Sequence, residues 1–135
     1  MNQKILKKLI YLLPILTVVF FSCRTENETG CTYFISEAVS QLSMPDSAFV
    51  NQPININIHY NANNGCGNFN NFNVNTISDT TVISPVVKYE GCVCTMIFQN
   101  LQSTYLYSAS NLGYVYFKFP QSDSSFLMDS IYIHP

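Results

Sequence analysis

The stretch PININIHYN, residues 53–61, alternates apolar and polar residues without a break. Ile54, Ile56, Ile58 and Tyr60 fall in one phase; Asn55, Asn57, His59 and Asn61 fall in the other. Successive side chains of a β-strand point to opposite faces, so this pattern describes a strand with one face buried and one face wet. The same period recurs to the C-terminus. FNNFNVNTI (69–77) places Phe72, Val74 and Thr76 on one face and Asn71, Asn73 and Asn75 on the other.

Working outward, VISPVVKYE (82–90), CVCTMIFQN (92–100), STYLYSA (103–109), GYVYFKF (113–119) and FLMDSIYIH (126–134) read as further strands, and CTYFISEAV (31–39) as the first. Gly, Asn, Asp and Ser clusters punctuate them as turns. Pro85 has no backbone donor, which predicts an edge strand or a bulge at its position. In CVCTMIFQN, the period places Cys92, Cys94, Met96 and Phe98 on one face. No window shows helical spacing. Seven to eight short strands at this spacing predict an immunoglobulin-like antiparallel β-sandwich over residues 31–135, with a barrel or jelly roll of similar size as the alternative.

Composition narrows the class. Of 135 residues, 47% are hydrophobic and 10% charged, which suits a packed core rather than a disordered chain. Eleven Asn lie between Asn51 and Asn75, but they alternate with Ile, Phe and Val, so the segment reads as strand rather than low-complexity tract. Three of the six basic residues, Lys4, Lys7 and Lys8, lie at the N-terminus. From Cys23 onward three bases face eight acids, a net charge of −5. Nucleic acid is therefore not an expected partner.

The N-terminus has the layout of an export signal: the basic head MNQKILKK, then the apolar run 9–21, too short for a comfortable membrane span of about 20 residues. Ser22 and Cys23 follow. Apolar residues, a small residue and a cysteine in this order resemble the lipobox of bacterial lipoproteins, although Phe20 stands where that pattern commonly has Leu. The resemblance implies a signal peptide over 1–22, cleavage between Ser22 and Cys23, acylation of Cys23 and a lipidated tether over 23–30. A bacterial outer-membrane location, periplasmic or surface-exposed, follows as an expectation. The order NNGCGNFNNF, KYEGCVCT, NLGYVYFKF also resembles small Bacteroidota lipoproteins, a likeness that carries a β-sandwich expectation and no activity.

Export predicts that the other four cysteines pair. Neighbours two apart on a strand have nearly parallel Cβ vectors about 6.6 Å apart, so Cys92 and Cys94 should each take a different partner. Cys66–Cys92 with Cys31–Cys94 is the expected pairing, and the exchanged pairing is nearly its equal. Gly65, Gly67 and Gly91 flank these sulfurs and should relieve crowding there. Copper held by Cys92, Cys94, Met96 and Met44 is a remote alternative that paired sulfurs would remove; no metal and no cofactor are expected.

No catalytic signature occurs, and His59 and His134 read as ordinary strand residues. The chain is expected not to be an enzyme. Three places, Ser47, Thr80 and Ser130, each follow an Asp and resemble the Asp-Ser/Thr sites O-glycosylated in exported Bacteroidota proteins. Asp-Ser and Asp-Thr also simply close turns. Tyr114 and Tyr116 are the expected contact patch for a protein or glycan partner. An inhibitor or accessory subunit of an exported enzyme is the alternative, with 62–68 as its projecting loop.

Overall fold

The computed structural model describes residues 30–135 as nine β-strands in two sheets. The expected signal peptide over 1–22, the expected lipid site at Cys23 and the expected tether up to residue 29 lie outside the described residues. The strands are β1 (Thr32–Ser36), β2 (Val39–Ser43), β3 (Ser47–Phe49), β4 (Pro53–Ala62), β5 (Gly67–Ile77), β6 (Thr80–Glu90), β7 (Gln99–Ser108), β8 (Gly113–Pro120) and β9 (Phe126–His134). β2, β4 and β7 form one sheet. The other runs β1-β6-β8-β9-β3, with β5 on the opposite side of β6.

β4 follows the alternation of its sequence. Ile54, Ile56, Ile58, Tyr60 and Ala62 are buried, and β7 pairs with it from Pro53↔Ser108 to Ala62↔Gln99. Facing them across the core are Ile83, Val87 and Tyr89 of β6, Phe117 and Phe119 of β8, and Ile131 and Ile133 of β9. Each such side chain contributes about 1.5–3 kcal/mol on burial. Aromatic edges tie the two layers: Tyr107 meets Phe117 at 5.0 Å and Phe72 meets Tyr105 at 5.4 Å. Buried polar groups find partners; Tyr60 and Ser103 share a 2.7 Å hydrogen bond between β4 and β7.

Several details differ from the sequence expectation. The sheets are not purely antiparallel: β6–β8 and β3–β9 are parallel. Parallel neighbours need a crossover, and β7, lying in the other sheet, supplies it between β6 and β8. The strand count is nine: the segment 31–39 holds β1 and only the first residue of a separate strand, β2, while 92–98 forms no strand of its own. At Glu37 the chain leaves one sheet for the other: its N–H donates to Pro85 O at 2.9 Å and its carboxylate turns inward. β3, a short strand between 43 and 53, is the other addition.

Pro85 is neither at an edge nor in a bulge; it lies within β6, which has neighbours on both sides. A strand residue's N–H and C=O point the same way. The Pro85 carbonyl faces the β1 side, so its missing donor falls in the gap where β1 pairing has ended and β8 pairing has not begun. The bulge sits in the neighbouring strand β5, between Phe69 and Asn71, across from Val87 and Val86, while Pro85 itself pairs with Phe72.

A further difference is CVCTMIFQN, which is loop from residue 92 to residue 98. The sulfurs are the reason. The bonds are Cys31–Cys92 and Cys66–Cys94, the exchanged pairing, with Cα separations of 5.0 and 5.6 Å. They fold this segment back over the end of the sandwich. Gly91 takes φ 131°, and an added Cβ there would stand 3.2 Å from the Cys66 sulfur, so this glycine does serve the bridge. Gly67 makes room for Ala62 and Tyr89 instead; a Cβ would lie 2.6 Å from Ala62 Cβ and 2.8 Å from Tyr89 Cε1.

A buried network closes the same end. Tyr89 OH donates to Glu37 Oε1 and accepts from Asn63 N at 2.8 Å, while Asn63 Nδ2 donates to Glu37 at 3.3 Å. Tyr33 stacks on Tyr89 with ring centroids 4.8 Å apart. Burial first, then the hydrogen bond to Glu37, pushes the Tyr89 phenol up to about 12. The folded value exceeds the unfolded value of about 10, so the linked stabilisation is complete below about pH 10 and is lost as pH rises through 12. Tyr89→Phe should cost about 1–3 kcal/mol at neutral pH by stranding Glu37 and Asn63 N–H. Urea titrations of both proteins should show that gap closing toward pH 12; a pH-independent gap would contradict the network.

Candidate functional site

The strand registers place two distinct features at opposite ends of the molecule. β6 spans Thr80 to Glu90, about 33 Å at strand rise. Its C-terminal end carries the disulfides. Its N-terminal end meets β8 at Thr80↔Tyr116.

At this N-terminal end, Tyr114 and Tyr116 stand on the outer face of β8, 62% and 45% exposed. They are brought together with aromatic residues from two other strands. Tyr114 pairs across with Tyr132, ring centroids 5.0 Å apart, and lies 6.3 Å from Tyr116. Tyr132 meets His134 at 4.7 Å, and His134 meets Phe49 of β3 at 5.9 Å. The result is a continuous row: Tyr116, Tyr114, Tyr132, His134, Phe49. Tyr132 and His134 are in phase on β9, a signal the alternation carries. That β9 lies beside β8 and takes β3 as its parallel partner is long-range pairing, and nothing local announces it.

Tyr114 also forms the lip of an open cleft of about 320 Å³ between the β5–β6 turn and the β7–β8 connection. Thr76, Asp79, Thr81, Ser108, Ser110 and Asn111 line it with hydroxyls, one amide and one carboxylate. Tyr107 lies at its base. Burial pushes that phenol above its ordinary range, so it stays a neutral hydrogen-bond donor. Thr76 and Thr81 share a 3.3 Å hydrogen bond across β5 and β6, which fixes one wall. Such a surface can hold a neutral, hydroxyl-rich ligand with one flat apolar face.

No protein-family model, curated protein or solved structure matches the chain.

The three Asp-linked hydroxyls converge on this same face. Thr80 and Ser130 flank Tyr116 in one cross-strand row, and Ser47 stands beside Tyr132 in the next. Ser47 is exposed; Thr80 and Ser130 are half-buried. His59 lies apart, on the outer face of the three-stranded sheet. Cys92 and Cys94 are bonded to other sulfurs, Met44 packs against the core and Met96 is 89% exposed, so the soft-ligand set is neither free nor gathered.

The segment 62–68 does not project. Ala62 and Gly67 belong to β4 and β5; Gly65 N–H donates to Thr95 O at 2.9 Å, and Asn63 is held by Tyr89 and Glu37. The segment that does stand out is 91–98, which the period-two pattern had disguised as a strand.

Proposed function

We propose that the protein is an exported lipoprotein of the bacterial cell envelope, anchored through Cys23, whose sandwich holds a glycan at the end remote from the disulfides. The immunoglobulin-like reading belongs to this proposal. Two stacked sheets with connections clustered at their ends favour it, and the two parallel pairs are its departure from that pattern. Two disulfides agree with an oxidising compartment.

The observation that carries the glycan reading is Tyr114, which borders both a polar cleft and a row of aromatic rings. The C–H face of a sugar ring is apolar and stacks on an aromatic ring, while its hydroxyls need nearby donors and acceptors. Pockets with a few convergent polar groups beside apolar surface suit such ligands. Asp79 accepts; Ser108, Ser110, Thr81 and Asn111 both donate and accept. Nothing in the cleft couples a nucleophile to a base, so the proposed role is binding without catalysis.

The test is an array of bacterial and host polysaccharides probed with the mature chain and with Tyr114→Ala. At least one polysaccharide should bind, and Tyr114→Ala should weaken that binding about tenfold or more. A silent array, or binding indifferent to Tyr114→Ala, would overturn the reading. Intact mass of the mature chain must accompany it, because sugars on Ser47, Thr80 or Ser130 would sit against these same tyrosines.

A further inference from the structure

We infer that the loop 91–98 is a second membrane contact, an apolar knob that lies in the bilayer interface beneath the domain. The inference rests on the lipid-anchor reading above and adds to it how the domain stands on the membrane.

Four side chains in this loop are turned out to solvent: Val93 is 91% exposed, Met96 89%, Ile97 66% and Phe98 71%. Apolar residues gathered in one short loop mark an interaction surface rather than the scatter usual on a protein surface. Both cysteines of the loop are bonded and its other side chains carry no charge; the nearest charges in sequence, Lys88 and Glu90, are paired with each other, and the Glu37 carboxylate, which shares a pocket with Phe98, is held by Tyr89 and Asn63. It is also held in shape. Cys92 and Cys94 are both bridged, and Thr95 O accepts from Gly65 N–H. Burying it elsewhere therefore costs little ordering.

Position selects a lipid surface over other occupants. The described chain begins at this end, and Cys31 is bonded to Cys92 within the loop itself. Cys23 lies eight residues before Cys31. Eight residues reach at most about 29 Å, so an acylated Cys23 tethers the domain to the headgroups by this end rather than by the aromatic end. Tyr33 stands beside the loop, 45% exposed, its hydroxyl accepting from Asn64 Nδ2 at 3.2 Å; an amphipathic ring there suits the headgroup level. Several acyl chains on Cys23 anchor firmly but leave the domain free to turn on its tether, and a second apolar contact orients it. The aromatic row then faces away from the membrane.

The chain has no Trp, so a single introduced Trp reports its surroundings. Phe98→Trp and, as the remote control, Leu106→Trp would each be made in the mature full chain. Each is reconstituted into phosphatidylethanolamine/phosphatidylglycerol vesicles containing acyl-brominated lipid. Emission from residue 98 should shift to the blue and be quenched, while emission from residue 106 should change in neither respect. In a Cys23→Ser chain carrying no lipid, serine at 93, 96, 97 and 98 together should lower vesicle partition at least about tenfold. Chains that float with vesicles yet leave residue 98 unquenched would overturn the inference and leave the anchor intact. Mature protein whose mass carries no acyl group would overturn the anchor; quenching of the unlipidated Phe98→Trp chain by added vesicles would then still support the loop contact, and its absence would remove it.

Discussion

Replacing Cys31 and Cys92 together by serine lowers the unfolding free energy by about 4 kcal/mol, read from urea titrations under non-reducing conditions. The bond joins residues 61 apart in sequence, and constraining a loop of that length removes much of the unfolded chain's entropy. The Cys66–Cys94 bond spans 28 residues, and its removal should cost slightly less, about 3.5 kcal/mol. The variants must be made in pairs. A lone thiol at Cys92, two residues from Cys94, is placed to attack the remaining bond and reshuffle it. Small domains are stable by only about 5–15 kcal/mol, so either pair is a large share of the total. A loss under about 1 kcal/mol would mean that the bridges decorate the fold rather than brace it.

The second large effect is expected at Phe117→Ala, a loss of about 3–5 kcal/mol. Phe117 is fully buried on β8, with the Tyr107 ring of the opposite sheet edge-on at 5.0 Å and Phe119 at 6.4 Å on its own strand. Its neighbours belong to two different sheets held by strand ladders, so they cannot collapse into the space left behind. Phe126, on β9 but half exposed, is the control; its alanine variant should cost under about 1 kcal/mol. Equal losses at both positions would contradict a core lying between the two sheets.

The alternation in PININIHYN stated both the strand and its buried face, because burial on one side imposes a period of two. The same rule misread CVCTMIFQN. Its apolar residues alternate as a strand's would, yet two bridges and Gly91 bend the segment away from any ladder, and the apolar face that a strand would bury is left outside. Local pattern carries no information about which sulfur meets which; both pairings satisfied the rule that Cys92 and Cys94 take different partners.

The site was half legible for a related reason. Tyr114 and Tyr116 are outward by phase on a single strand, and that much follows from GYVYFKF. The row they join depends on β9 lying against β8 and on the three-residue β3, too short to leave a period. The cleft is a product of two connections meeting, the β5–β6 turn and the segment after β7. The Glu37–Tyr89–Asn63 network is of the same kind: three residues far apart in sequence, each ordinary alone, buried together where the chain changes sheets.

The most direct test of the account is a map of the sulfur bonds in protein recovered from cell envelopes, with thiols blocked before lysis. Electron-transfer fragmentation of the linked peptides separates Cys92 from Cys94, which no protease divides conveniently. The account predicts no free thiol among residues 31–135 and the links Cys31–Cys92 and Cys66–Cys94. Blocked thiols at these positions, or the links Cys31–Cys94 and Cys66–Cys92, would contradict it.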